Sequence, residues 1–186
     1  AGGIQNLKEQ LVTNSIKPFT ALIDNASIVF AHSVLDAAAF DFLRVIELIA
    51  PLEELEVFVE KTKITLVDAK MSTYDEIAKC KIKNFINDLE RSSLLEKIDK
   101  IFQICQPPAH YSNVKQYKFD RDKLKILDDL RHSIVHSISN NSLLSNCDDS
   151  IEYFWKTSYF LMNLVNYKYK LKLNPNRLRE IILPNQ

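Results

Sequence analysis

After residue 3 this chain contains no glycine: Gly2 and Gly3 fall in the opening AGG, and residues 4–186 have none. Glycine is what lets backbone take positive φ or come close to a ligand. A phosphate-cradling P-loop, a G-x-G-x-x-G dinucleotide fingerprint and a nucleophile elbow all need it at fixed positions, so these sites are excluded. Chain reversals fall to other residues, and the asparagines of SNNSLLSNCDDS, residues 139–150, are suited to that role.

What remains is helical. Apolar residues recur with helix spacing nearly end to end, while alternating strand patterns are scarce, which predicts an all-α fold, an antiparallel bundle of about five to seven helices. A weak first helix is expected over Gln5–Asn14. A long one follows from about Lys17 to Ala50, with Pro18 in its first turn and Pro51 stopping it. Its middle, SIVFAHSVLDAAAFDFLRVIELIA, is apolar on nearly every side and reads as a central spine packed against several neighbours. PLEELEVFVEK reads as a short continuation and KITLV, residues 63–67, as a connection. Ser72 should open a helix with Asp75 at its start, and Ser93 with Glu96 should form a capping box for the next. QPPAHYSNVKQYKF is a loop; Asp120 caps a helix running to about Ser139; a last long helix covers about Asp149–Leu171, and Asn174 with Pro175 starts a short terminal one.

A length of 186 residues with 46% hydrophobic residues suits one domain over 1–186, with 1–3 as an appended or truncated start and 172–186 as a terminal appendage. The formal net charge is zero, so any nucleic-acid binding must come from a local patch. Asp36, Asp41, Arg44 and Glu47 interrupt the most hydrophobic segment, and no membrane span is expected. Three scattered cysteines, Cys80, Cys105 and Cys147, and a start without a charged-then-apolar leader point to a reducing cytoplasm.

The chemistry concentrates in LRHSIVHS, residues 130–137. On a helix, Leu124, Leu127, Leu130, Ile134, Val135 and Ile138 form one apolar face, Arg131 falls about 40° from its centre, and His132 and His136 stand on the polar side above Asp128. A buried guanidinium needs a carboxylate, and the spine offers Asp36 and Asp41, with Asp36 preferred as the more enclosed. Otherwise Arg131 lays its stem over the core edge and keeps its head in water. The two histidines form a solvated pair, or with Asp128 a metal site that no further ligand spacing supports. No cofactor or metal is expected, and the isolated His32 and His110 read as structural.

LRHSIVHS closely resembles the signature of the HEPN superfamily, an Arg and a His separated by four to six residues near the start of a late helix, here Arg131-HSIV-His136. The resemblance extends to the apolar early helix with its acidic residue, SVLDAAAFDFLRVIE, and to the all-α context. It implies a metal-independent endoribonuclease acting in phage defence, as a toxin or in RNA processing, with Arg131 and His136 catalytic, His132 at the polar position that sets the site, and Asp36 supporting the arginine. It also implies a homodimer whose motif helices share one composite cleft, and a regulatory partner or antitoxin. The residue types suit the reaction, because RNA carries its own 2′-hydroxyl nucleophile, imidazoles move protons near neutrality and guanidinium binds phosphate through paired hydrogen bonds. NYKYKLKLNPNRLR supplies candidate RNA contacts in Lys168, Lys170 and Lys172 with Tyr167 and Tyr169, or else an ordinary cationic helix end. The alternative function is a non-catalytic HEPN-like module that dimerises or binds RNA or a partner; the remaining one is a plain helical scaffold in which RHSIVH is coincidence.

Overall fold

The computed structural model describes residues 5, 9–55, 58, 73–107, 119–136 and 147–171, and among them there is no strand. The fold is all-α, a helical bundle, as the periodicity predicts. Six α-helices are described: α1, Lys17–Ile49; α2, Leu52–Leu55; α3, Tyr74–Leu89; α4, Leu94–Cys105; α5, Arg121–His136; and α6, Cys147–Tyr169. The expected connection KITLV and the terminal helix at Asn174 lie outside the described residues.

Prolines and caps set the boundaries. A π-helical turn over Val12–Ile16 leads directly into α1, so the weak first helix and the long one are continuous. Pro51 ends α1 because its ring crowds the preceding residue out of helical geometry. The capping box forms one helix earlier than expected: the Thr73 N–H donates to Glu76 Oε2 at 2.9 Å, and the Glu76 N–H donates to Thr73 Oγ1 at 3.4 Å. Those bonds from Thr73 hold the Glu76 carboxyl below the usual carboxylate range, so this contribution to stability is present at neutral pH and disappears as pH falls through the lowered pKa. Ser93 supplies the forward half of the motif for α4, accepting from the Glu96 N–H at 3.3 Å. That helix closes on Gln106 in the left-handed region, φ 44°, just before Pro107.

The chain sorts into two compact units where one domain was expected. Unit 1 takes residues 1–35 and 120–157, and unit 2 takes 36–119 and 158–186. Of the three boundaries, 35/36 and 157/158 fall inside long helices, α1 and α6, where no linker composition marks them, and 119/120 falls just ahead of α5. In unit 1 the buried apolar side chains include Ala21, Ile28 and Leu35 of α1, Leu124 and Leu127 of α5, and Phe154 of α6. In unit 2 the core draws on Leu43 and Ile46 of α1, Ile82 and Ile86 of α3, and Ile98 and Ile101 of α4. The spine is not surrounded as expected. Its large apolar residues split into a buried set and an exposed one, the latter including Phe19, Leu22, Phe30 and Leu48.

By length and composition Phe19–Ile49 is long and apolar enough to cross a membrane. The charges that argue against a span, Asp36, Asp41, Arg44 and Glu47, lie in its second half; between residues 19 and 35 Asp24 is the one charge.

Unit 2 also buries an ammonium. Lys97 is 1% exposed and its Nζ donates to Asp36 Oδ1 at 2.7 Å. Asp36→Ala strands that charge in the core and should lower stability by about 3 kcal/mol. Replacing both groups, Asp36→Leu with Lys97→Met, should recover most of the loss, and urea-unfolding midpoints of the two variants check this.

Candidate active site

The motif residues sit on α5, whose start is fixed from two sides. The Lys123 N–H donates to the Asp120 carboxylate at 3.0 Å, so Asp120 caps the helix as its sequence position predicts. The Tyr153 hydroxyl of α6 donates to the Asp120 carbonyl, while the Lys123 ammonium stands over the Tyr153 ring, 4.8 Å from its centroid. The described helix ends at His136; residues 137–146, into which it was expected to continue, lie outside the described residues.

Halfway along, a second contact holds the rotation of α5. His32 of α1 is buried and its Nε2 meets Asp128 Oδ1 at 2.8 Å, with the imidazole edge-on to Phe154 at 5.6 Å. A buried imidazole edge needs a polar partner, and a carboxylate is the strongest on offer. His32 was expected to be an isolated structural histidine; it is buried, but it is the residue through which α1 engages the motif helix. The available signal was its place in the row Ile28, His32, Leu35, an apolar face that a neighbouring helix would cover.

With Asp128 turned toward His32 and Leu124 and Leu127 buried, His132 and His136 face solvent. Their ring centroids are 4.3 Å apart, tilted by 49°. The expected pair is therefore real as a contact between two exposed imidazoles one helical turn apart. Among the described residues no group of three or more histidine, cysteine or acidic side chains is arranged to hold a metal ion, and Asp128 meets His32.

Arg131 is half-buried at the edge of the apolar face, as its position on the helix predicts. Its Nε is enclosed and has no hydrogen-bond partner among the described residues. The expected carboxylate is engaged elsewhere: Asp36 belongs to unit 2 and binds Lys97. The choice of Asp36 rested on enclosure alone, and enclosure brought it a buried lysine. The partner the structure gives Asp36 is therefore Lys97, and not the expected Arg131.

The proposed RNA contacts also divide. Glu54 of α2 takes two of them, accepting from Lys168 Nζ at 3.0 Å through Oε1 and from the Tyr169 hydroxyl at 3.0 Å through Oε2. Burial first, and this bond second, push the Tyr169 phenol above its ordinary pKa. The nearby Cys105 thiol is pushed up to about 12 by burial, partly offset by Lys168, and is inert at neutral pH. Lys168 and Tyr169 are therefore half-buried and held by Glu54, whereas Tyr167 and Lys170 are exposed. Lys172, with Arg177 and Arg179, lies outside the described residues.

Comparison with protein-family models, with curated proteins and with solved structures finds no match.

Asp128→Ala removes the partner of a buried imidazole. It should lower stability by about 1–3 kcal/mol in a urea-unfolding experiment.

Proposed function

We propose that α5 carries a metal-independent endoribonuclease site, with His132 and His136 moving protons and Arg131 binding phosphate. One observation carries the reading: the solvent-facing rings of His132 and His136 have centroids 4.3 Å apart, and the guanidinium of Arg131 beside them has an Nε with no partner among the described residues. Two histidines in contact supply the two proton-transfer groups that RNA cleavage needs. One imidazole takes the proton from a ribose 2′-hydroxyl as that oxygen bonds to phosphorus. The other gives a proton to the departing 5′-oxygen as its bond to phosphorus breaks. The products are a 2′,3′-cyclic phosphate and a 5′-hydroxyl, so protons and charge balance without an added reactant. A guanidinium at the non-bridging oxygens stabilises the charge that grows there in the transition state.

The HEPN resemblance supports Arg131 and His136 as catalytic, gives His132 the polar position that sets the site, and implies action in phage defence or as a toxin, with a regulatory partner. It divides the proton-transfer roles between the motif helices of a homodimer; the contact between His132 and His136 supplies both groups on one chain. Of the candidate RNA contacts Lys168, Lys170, Lys172, Tyr167 and Tyr169, the exposed Tyr167 and Lys170 have the stacking and charge that binding RNA needs.

A second reading is favoured by a specific feature. Arg131 points about 100° round the helix from His132, toward the apolar edge, which suits a module that binds RNA or a partner without cutting it.

Incubation of the protein with total cellular RNA in excess EDTA, followed by end-group analysis, separates the two. Cleavage by wild type with cyclic phosphate ends is expected, falling about 10²–10⁴-fold in His136→Ala. Ends carrying a 3′-hydroxyl, or no cleavage by folded protein, would sink the ribonuclease proposal.

A further inference from the structure

The exposed face of α1 in unit 1 is a nearly uncharged apolar stripe. Ile16, Phe19, Leu22, Ile23, Phe30 and Val34 are between 45% and 71% exposed, and Leu11 and Val12 extend the row upstream. On the opposite face Ala21, Ile28, His32 and Leu35 are buried in the unit 1 core. The helix is thus apolar on two opposite sides with only one of them covered, and no more than 28% of its most apolar window is buried. At about 150–250 Å² for a whole aromatic side chain and somewhat less for an aliphatic one, the uncovered parts of these eight side chains come to roughly 800 Å². Monomers rarely leave so large a patch to water.

We propose that a second copy of this chain covers the stripe, pairing α1 with α1 in a homodimer. Area is the first support, since each partner in a standard stable interface contributes about 800 Å². The second is spacing. Val12, Ile16, Phe19, Ile23, Ala26 and Phe30 follow one another at intervals of four and three residues, the repeat by which two helices interlock side chains along a shared seam. An antiparallel two-fold centred between Ile23 and Ala26 sets Phe19 of each copy against Phe30 of the other, with small Ala26 opposite Ile23. Charge is the third. Between residues 16 and 35 only Lys17 and Asp24 are charged, so the face lacks the basic rim that would hold a helix on an anionic membrane.

The proposal does not rest on the ribonuclease reading, and it constrains that reading. His32, through which α5 engages α1, lies two residues and about 200° round the helix from Phe30. Pairing through the stripe therefore keeps the two motif helices apart, and each copy presents its own His132 and His136. A composite cleft would need a different face.

Analytical ultracentrifugation of the full chain over a concentration series tests this. Wild type should sediment as a dimer of the 21.5 kDa chain. Phe30→Glu and Phe19→Glu, both at exposed positions, should each weaken the dimer by about 30-fold or more, with unchanged helical circular dichroism. Ile126→Glu, an equally exposed apolar site on α5, should leave the dimer intact. A wild type that is monomeric throughout overturns the proposal. So does a dimer that survives both phenylalanine substitutions but is lost in His136→Glu, or wild-type protein that floats with phosphatidylcholine vesicles through the stripe and not as a dimer.

Discussion

One part-buried contact, His32 to Asp128 at 2.8 Å, sets what the motif helix presents. Once Asp128 is drawn toward α1, helical geometry leaves little choice for its neighbours. Leu124 and Leu127 go inward, His132 and His136 go out, and Arg131 is left at the rim between them. Asp120, held at its carboxylate by the Lys123 N–H and at its carbonyl by Tyr153, fixes the other end of the same helix. The imidazole pair is therefore displayed by packing and hydrogen bonds elsewhere on α5.

The carboxylates of unit 2 follow a similar logic and change the meaning of several side chains. Asp36 reads from sequence as an acidic residue in search of a cation, and the cation it meets is Lys97, whose ammonium is almost wholly removed from water. Glu54 collects Lys168 and Tyr169 in the same way. A buried or half-buried charge is costly unless paired, so the most enclosed cations claim the nearest acids first. Tyr167 and Lys170, in the same stretch, stay exposed.

The spine helix shows a different limit of pattern reading. A helix that is apolar all round is expected to lie inside a core. In α1 the inner face built around Ile28 and Leu35 is buried, and the outer one around Phe30 is open to water. Composition cannot separate these cases, because a core, a second copy of the chain and a lipid surface all ask a helix for the same residues.

By itself the sequence determined the class of fold, where α1 ends and α5 begins, and that Leu124 and Leu127 of α5 turn inward, although Val135, expected on the same face, is 46% exposed. These depend on interactions within a few residues: Pro51 ending α1, Asp120 capping α5, and the 3.6-residue spacing that groups Leu124 with Leu127 and sets His132 below His136. Only tertiary structure decided which acid meets which base. Asp36 and Lys97 are 61 residues apart, His32 and Asp128 are 96 apart, and Glu54 and Tyr169 are 115 apart. Helical periodicity fixes the direction of a side chain on its own helix but carries no information about the neighbour it will face. That choice belongs to the packing of whole helices, and with it went the assignment of Asp36, the role of His32 and the division into two units.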